Sequence, residues 1–142
     1  VFMANTQQKT KQMKNVAVAI ITDEDGRVLL INPREEEPED SQEEWDFPSN
    51  DIVPGATYTE TFVSDILEET GCIVEAVSLV SSERKQRQTT GYHYEYVACK
   101  VVCRDNAYRR KKTERHRWVS PTKVKTVIRR RINRDIIQHL GI

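Results

Sequence analysis

The densest chemistry in the chain lies in SDILEETG, Ser64 to Gly71, where Asp65, Glu68 and Glu69 stand at i, i+3 and i+4. On a helix that spacing puts three carboxylates on one face. Hard oxygen donors of this kind suit Mg²⁺, which takes near-octahedral oxygen sets and keeps several waters. The same pattern also describes the wet side of a surface helix. Other chemistry-bearing types are scattered. Tyr92, Tyr94 and Tyr96 alternate with His93 and Glu95, as on a half-buried strand, where the rings could stack on a base or simply pack. His93 and His116 show no partner pattern that would make either a metal ligand or a base, and Trp45 and Trp118 read as core.

The elements that must position these groups can be read from periodicity. Val16–Ile21 and Val28–Ile31 are β-rich runs joined by DEDGR, a hairpin signal. EEEPEDSQEE is an acidic loop, WDFP a short strand or strand end, and SNDIVPGA a loop with a Pro54-Gly55 turn. Thr57 and Glu60 form a T-x-x-E capping box at the start of a helix. Phe62, Val63, Ile66 and Leu67 give that helix an apolar stripe, and Gly71 ends it. The three acids are expected roughly opposite the stripe. CIVEAVSLVSSE, TGYHYEYVACKVV and HRWVSP read as three further strands around the basic loop RDNAYRRKKTER. The chain closes on one basic amphipathic helix, with Val124, Val127, Ile128, Ile132, Ile136, Ile137 and Leu140 at helical spacing. A mixed sheet between helices is the simplest way to bury both apolar stripes.

Bulk properties narrow the class. At 142 residues, 37% hydrophobic and 31% charged, the chain suits one water-soluble domain over residues 15–142, with residues 1–14 as a flexible or extraneous lead. No apolar run approaches a bilayer span, and no secretory signal is visible. Three cysteines without CxxC spacing fit reduced thiols and a cytoplasmic setting. The net charge is zero but segregated: fifteen acids and no Lys or Arg lie between Glu35 and Glu83, against seventeen Lys and Arg and four acids from Arg84 onward. A polyphosphate held through divalent metal would meet both signs, whereas nucleic acid accounts for the basic half alone and ranks last. Two solvated faces that neutralise each other are the plain alternative.

The order of elements, and WDFPSNDIVPGATYTETFVSDILEETGCI within it, resembles a Nudix hydrolase from about Asn15 to the C-terminus. The family signature is G-x5-E-x7-R-E-U-x-E-E-x-G-U, with U a bulky aliphatic. Ile66, Glu68, Glu69 and Gly71 match its tail, with Cys72 at the last aliphatic position. The front departs: Asn50 stands for the first glycine, Ala56 for the next glutamate, Ser64 for the arginine and Asp65 for its neighbouring glutamate. Asn50 tolerates a left-handed turn better than most residues.

The resemblance implies a Nudix-like α/β/α sandwich. It implies a metal-dependent hydrolase that cleaves a pyrophosphate bond in a nucleoside diphosphate-linked substrate by metal-activated water. Asp65, Glu68 and Glu69 would hold Mg²⁺ or Mn²⁺, with Glu68 and Glu69 the principal catalytic carboxylates. Glu114, the one acid in YRRKKTERHR, is the candidate base from the loop before the last strand, or else a partner of adjoining cations. Arg34, Arg84 and Arg87 would be the phosphate contacts, because a guanidinium fork suits phosphate geometry; taken singly, each reads more readily as an ordinary surface arginine. The departures favour an alternative, a catalytically weak or inactive nucleotide-binding module. A nucleotide is the partner on either reading. No membrane partner is expected, and a homodimer is compatible with both.

Overall fold

A computed structural model describes residues 12–32, 44–105 and 115–142, without the side chains of residue 12 and residues 58–61. It is built on a six-stranded mixed sheet. The strands are β1 (Gln12–Thr22), β2 (Val28–Ile31), β3 (Ser49–Asp51), β4 (Cys72–Arg87), β5 (Thr90–Arg104) and β6 (His116–Val119). Their order is β4-β5-β1-β2-β6, with β3 paired to β1. β1 and β5 run parallel from Gln12↔Thr90 to Thr22↔Lys100, and the other pairs are antiparallel.

Alternation along β1 sorts the core into two layers. Ala17, Ala19 and Ile21 face α1 (Tyr58–Thr70) and pack with Phe62, Ile66, Cys72, Val97 and Cys99. Val16, Val18 and Ile20 face the other way, toward Tyr96, Val124, Ile128, Ile132 and Ile136. The sheet is thus covered on both faces, as the two apolar stripes demand.

Three expectations shift. WDFP supplies only an isolated bridge between Asp46 and Ile31, and the third strand is SND. β1 starts at Gln12, so Gln12–Lys14 pair in the sheet. The C-terminal segment is broken: a 3₁₀ turn (Pro121–Lys123), α2 (Val124–Val127) and α3 (Arg134–Leu140) replace one helix. Ile128 is extended (φ −81°, ψ 117°), and Asn133 restarts the helix by accepting a hydrogen bond from the Asp135 amide at 2.8 Å. Ile128 and Ile132 still reach the core, so an i, i+4 pair that suits a helix is met by a bent segment.

Candidate functional site

Helix α1 is held at its C-terminal end with care. Gly71 takes φ +74° and donates its amide to the Leu67 carbonyl at 2.8 Å. The Thr70 hydroxyl donates to the Ile66 carbonyl (2.7 Å) and accepts from the Cys72 amide (3.1 Å), joining the helix to β4. Phe62 and Ile66, almost fully buried, seat the helix on the sheet. The side chain of Glu60 lies outside the described residues, so the capping box does too.

The three helix acids do not share one environment. Asp65 and Glu68 are exposed, whereas Glu69 is partly buried. Glu69 follows Phe62 by seven residues, so it stands within about 20° of it around the axis. It flanks the buried stripe instead of opposing it. This brings its Oε1 to 3.9 Å from Nδ1 of His116 on β6, whose side chain is 12% exposed. Asp65 Oδ2 accepts a hydrogen bond from the Asn50 side-chain amide at 2.7 Å. Asn50 is extended in β3, and Gln88 is the positive-φ residue outside glycine among those described. Its contribution is therefore an amide aimed at the helix, not a left-handed turn.

The oxygens of Asp65, Glu68 and Glu69 belong to the hard, water-accessible type that a divalent cation takes, and they come from a single face. Neighbouring helical positions lie about 5–6 Å apart at Cβ, so rotation of the long glutamates sets how closely the oxygens approach. The donor type suits a divalent cation, but the structure does not bring the oxygens of Asp65, Glu68 and Glu69 all within 4.8 Å of one another. Asp23, Glu24 and Asp25 form the described acidic group whose ligand oxygens all lie within 4.8 Å. That group is a turn lock. The buried Asp23 carboxylate accepts from the Asp25 and Arg27 amides (3.0 and 2.8 Å) and from Arg27 Nε (2.9 Å), with Arg104 at 3.6 Å.

A cavity of about 510 Å³ opens on the same face of the sheet as α1, at the opposite end of the helix. Arg84, His93, Glu95, Asn15, Ile52 and Ala56 line it. Ala56 precedes Glu69 by thirteen residues, about 20 Å along a helix. Asn50 is nearer: Ile52 follows it by two strand-spaced positions, about 7 Å. The cavity and the acids thus flank the Asn50–Asp65 bond. Strand β4 reaches this face through irregularities. Register shifts at Ala76/Ser78 and Leu79/Ser81 reverse and then restore its alternation, so that Arg84 pairs with His93 toward the cavity.

Arg84 therefore lies on the candidate face, but Arg87 does not: its guanidinium sits 5.9 Å from the Tyr92 ring centroid, and Tyr92 packs on the opposite layer. Arg34 and Glu114 lie outside the described residues. Tyr92, Tyr94 and Tyr96 stack in a ladder with centroids 6.0 and 6.3 Å apart, packed against the core of the second layer. Trp45 is core, and Trp118 packs partly buried beneath Arg104. Cys99, whose thiol burial pushes up to about 12, is a core residue. The residues that sequence reasoning passed over are His93, His116 and Asn50 as a side-chain donor. Their only signal was alternation: His93 is out of phase with the core-facing tyrosines.

A NUDIX domain profile matches residues 11–140. The fold is shared with a NUDIX hydrolase from Nitrosomonas europaea (TM-score 0.66, 17% identity, covering 92% of this chain and 86% of that one). It is shared with a UDP-X diphosphatase (TM-score 0.64, 19% identity, 99% and 68%) and with an ADP-ribose pyrophosphatase from Streptococcus suis (TM-score 0.54, 17% identity, 77% and 75%). No match was found among curated protein sequences. With the profile spanning nearly the whole sequence, and the six-stranded sheet and acid-bearing helix in place, the chain belongs to the NUDIX domain family.

Proposed function

We propose that the protein is a hydrolase that cleaves the pyrophosphate bond of a nucleoside diphosphate-linked substrate with Mg²⁺ or Mn²⁺. The observation that carries this reading is the Asn50–Asp65 hydrogen bond, 2.7 Å, which fixes one helix carboxylate beside Glu68 and Glu69. Support also comes from the two fold neighbours named as a UDP-X diphosphatase and an ADP-ribose pyrophosphatase.

When bound, a divalent cation supplies Lewis acidity at the phosphate and a water of lowered pKa. Glu68 and Glu69 would provide its main oxygen ligands, with Asp65 assisting. Glu69, partly buried with His116 Nδ1 3.9 Å from its Oε1, would be the carboxylate to take up a proton from water. Arg84, which lines the cavity, would meet the phosphate-bearing part of the substrate. Three free cysteines fit a reducing, cytoplasmic setting. Among the described residues no helix is long and apolar enough to cross a membrane.

A second reading, a nucleotide-binding module with little turnover, is favoured by Ser64, an exposed side chain with no charge to orient a carboxylate. The two are separated by product release from nucleoside triphosphates, nucleotide sugars, ADP-ribose and dinucleoside polyphosphates, with Mg²⁺ or Mn²⁺, beside Glu69→Gln. Metal-dependent turnover that disappears in the variant is expected. Binding of these compounds with no turnover above the variant would establish the module.

A further inference from the structure

Helix α1 carries Asp65, Glu68 and Glu69 but no Lys, Arg or His anywhere in YTETFVSDILEET. Two effects therefore work against a fixed Glu69. Asp65 stands four residues before it, so the two like charges repel across one turn. The last turn is also the negative end of the helix dipole, which disfavours an acid there. A side chain under that repulsion keeps one conformation only if something outside the helix holds it. Asp65 has such a support in the Asn50 amide of β3, 2.7 Å from its Oδ2. For Glu69 the sheet offers His116, the first residue of β6, with Nδ1 3.9 Å from Oε1.

The imidazole is built into the sheet. His116 pairs with Ile31 of β2. The Asn32 amide donates to the Arg115 carbonyl at 2.8 Å, which fixes the entry to β6. Trp118, two residues on and so on the same face, packs into the layer beneath α1. The His116 ring is largely covered, and its Nδ1 is buried. A separation of 3.9 Å is about 1 Å longer than an N–H···O bond. The last torsion of a glutamate is soft, so a turn of the Glu69 carboxylate closes that gap without moving the helix. With the imidazole proton on Nδ1, that nitrogen donates and the carboxylate accepts. Carboxylates that hold a cation are normally steadied by such a donor, and its loss costs about ten- to hundredfold in metal affinity or activity. We infer that His116 is the positioning residue of Glu69, as Asn50 is of Asp65. The two acids are then held from two different strands, β3 and β6, on a helix that has no cation of its own. The inference rests on the hydrolase reading for what the held carboxylate does.

The test compares the parent with His116→Phe, which keeps a ring and removes the donor, and with His116→Asn, whose amide nitrogen can stand near the place of Nδ1. Mn²⁺ affinity is read by electron paramagnetic resonance. The kcat and KM are read on whichever compound of the nucleotide panel the parent hydrolyses fastest. His116→Phe is expected to weaken Mn²⁺ binding and to lower kcat by about tenfold or more, with KM little changed. His116→Asn should recover most of both, and the unfolding midpoints should not follow this order. Independently of the ring substitutions, the nitrogen NMR signals of the His116 ring should move in Glu69→Gln at fixed pH. Equal Mn²⁺ affinity in the parent and His116→Phe, a His116→Asn as impaired as His116→Phe, or unmoved ring signals overturns the assignment. Metal binding that follows the expected order, with no hydrolysis of any compound, would defeat the hydrolase reading and leave the positioning role standing. Hydrolysis indifferent to His116→Phe would do the reverse, and a parent that takes no Mn²⁺ removes both.

Discussion

The two faces of the β4–β5 hairpin use the same kinds of residue in opposite ways. On the face away from α1, Glu83 is enclosed by partners. Lys85 lies 3.1 Å from Oε1, Asn133 donates to Oε2 at 3.1 Å, and the Tyr96 hydroxyl donates at 3.2 Å. Arg130 binds Asp46 through two bonds, and the Ser81 hydroxyl donates to Asp135 at 2.6 Å. These contacts tie α3 and the segment before it to the sheet. On the α1 face, the exposed Asn15 and Arg84 line a cavity with His93, whose buried Nδ1 has no hydrogen-bond partner among the described residues. A satisfied polar network fixes structure, because an orphaned member would cost about 1–3 kcal/mol. An unsatisfied one in a cavity is suited to something that arrives later.

That contrast can be broken by substitution. The largest effect should come from Phe62→Ala, which removes the fully buried ring that seats α1. A loss of about 3–5 kcal/mol in stability is expected by denaturant unfolding, and a loss below about 1 kcal/mol would show that the helix is held some other way. Glu69→Gln should lower metal-dependent hydrolysis at least about a hundredfold, equivalent to about 2.7 kcal/mol of barrier, while the melting temperature stays unchanged. Asn50→Ala should cost about tenfold in turnover by freeing Asp65. If it lowered stability and left turnover alone, the hydrogen bond would belong with the structural network.

The opposite face should show the reverse pattern. Tyr96→Phe is expected to cost about 1 kcal/mol in stability with hydrolysis unaffected. Glu83 titrates below its ordinary 4.5: burial pushes it up, but the hydrogen bonds from Lys85, Asn133 and Tyr96 and the Lys85 charge outweigh burial. A lowered folded pKa contributes stability that is present above about pH 4.5 and lost as pH falls through the folded value. Acid unfolding should therefore be less steep in Glu83→Gln than in the parent, a difference read by circular dichroism across pH 2–6. Ser81→Ala, at an exposed bond, should change stability by no more than about 0.5 kcal/mol.

Much of this was legible from residue order. The stripe Phe62–Ile66 and Gly71 located α1 because burial and the left-handed cap leave local signatures. The acids Glu68 and Glu69 stood out by their spacing and by the resemblance of SDILEETG to the tail of the family signature. The break at Ile128 was not, because isoleucines at i and i+4 can reach a core from a helix or from a bent segment. Nor was the separation of Arg84 from Arg87, which depends on strand parity after two register shifts in β4.

The sequence by itself determined which residues are apolar at which period, and hence a mixed sheet covered on both sides with three carboxylates on one helix. Only the tertiary structure decided which of those carboxylates meets Asn50, which meets His116, and that Arg84, His93, Glu95 and Asn15 share one cavity. The physical reason is range. Caps and stripes act within a few residues along the chain, whereas these groups come together through strand pairing across tens of residues, and a one-residue slip in pairing would turn each to the other face.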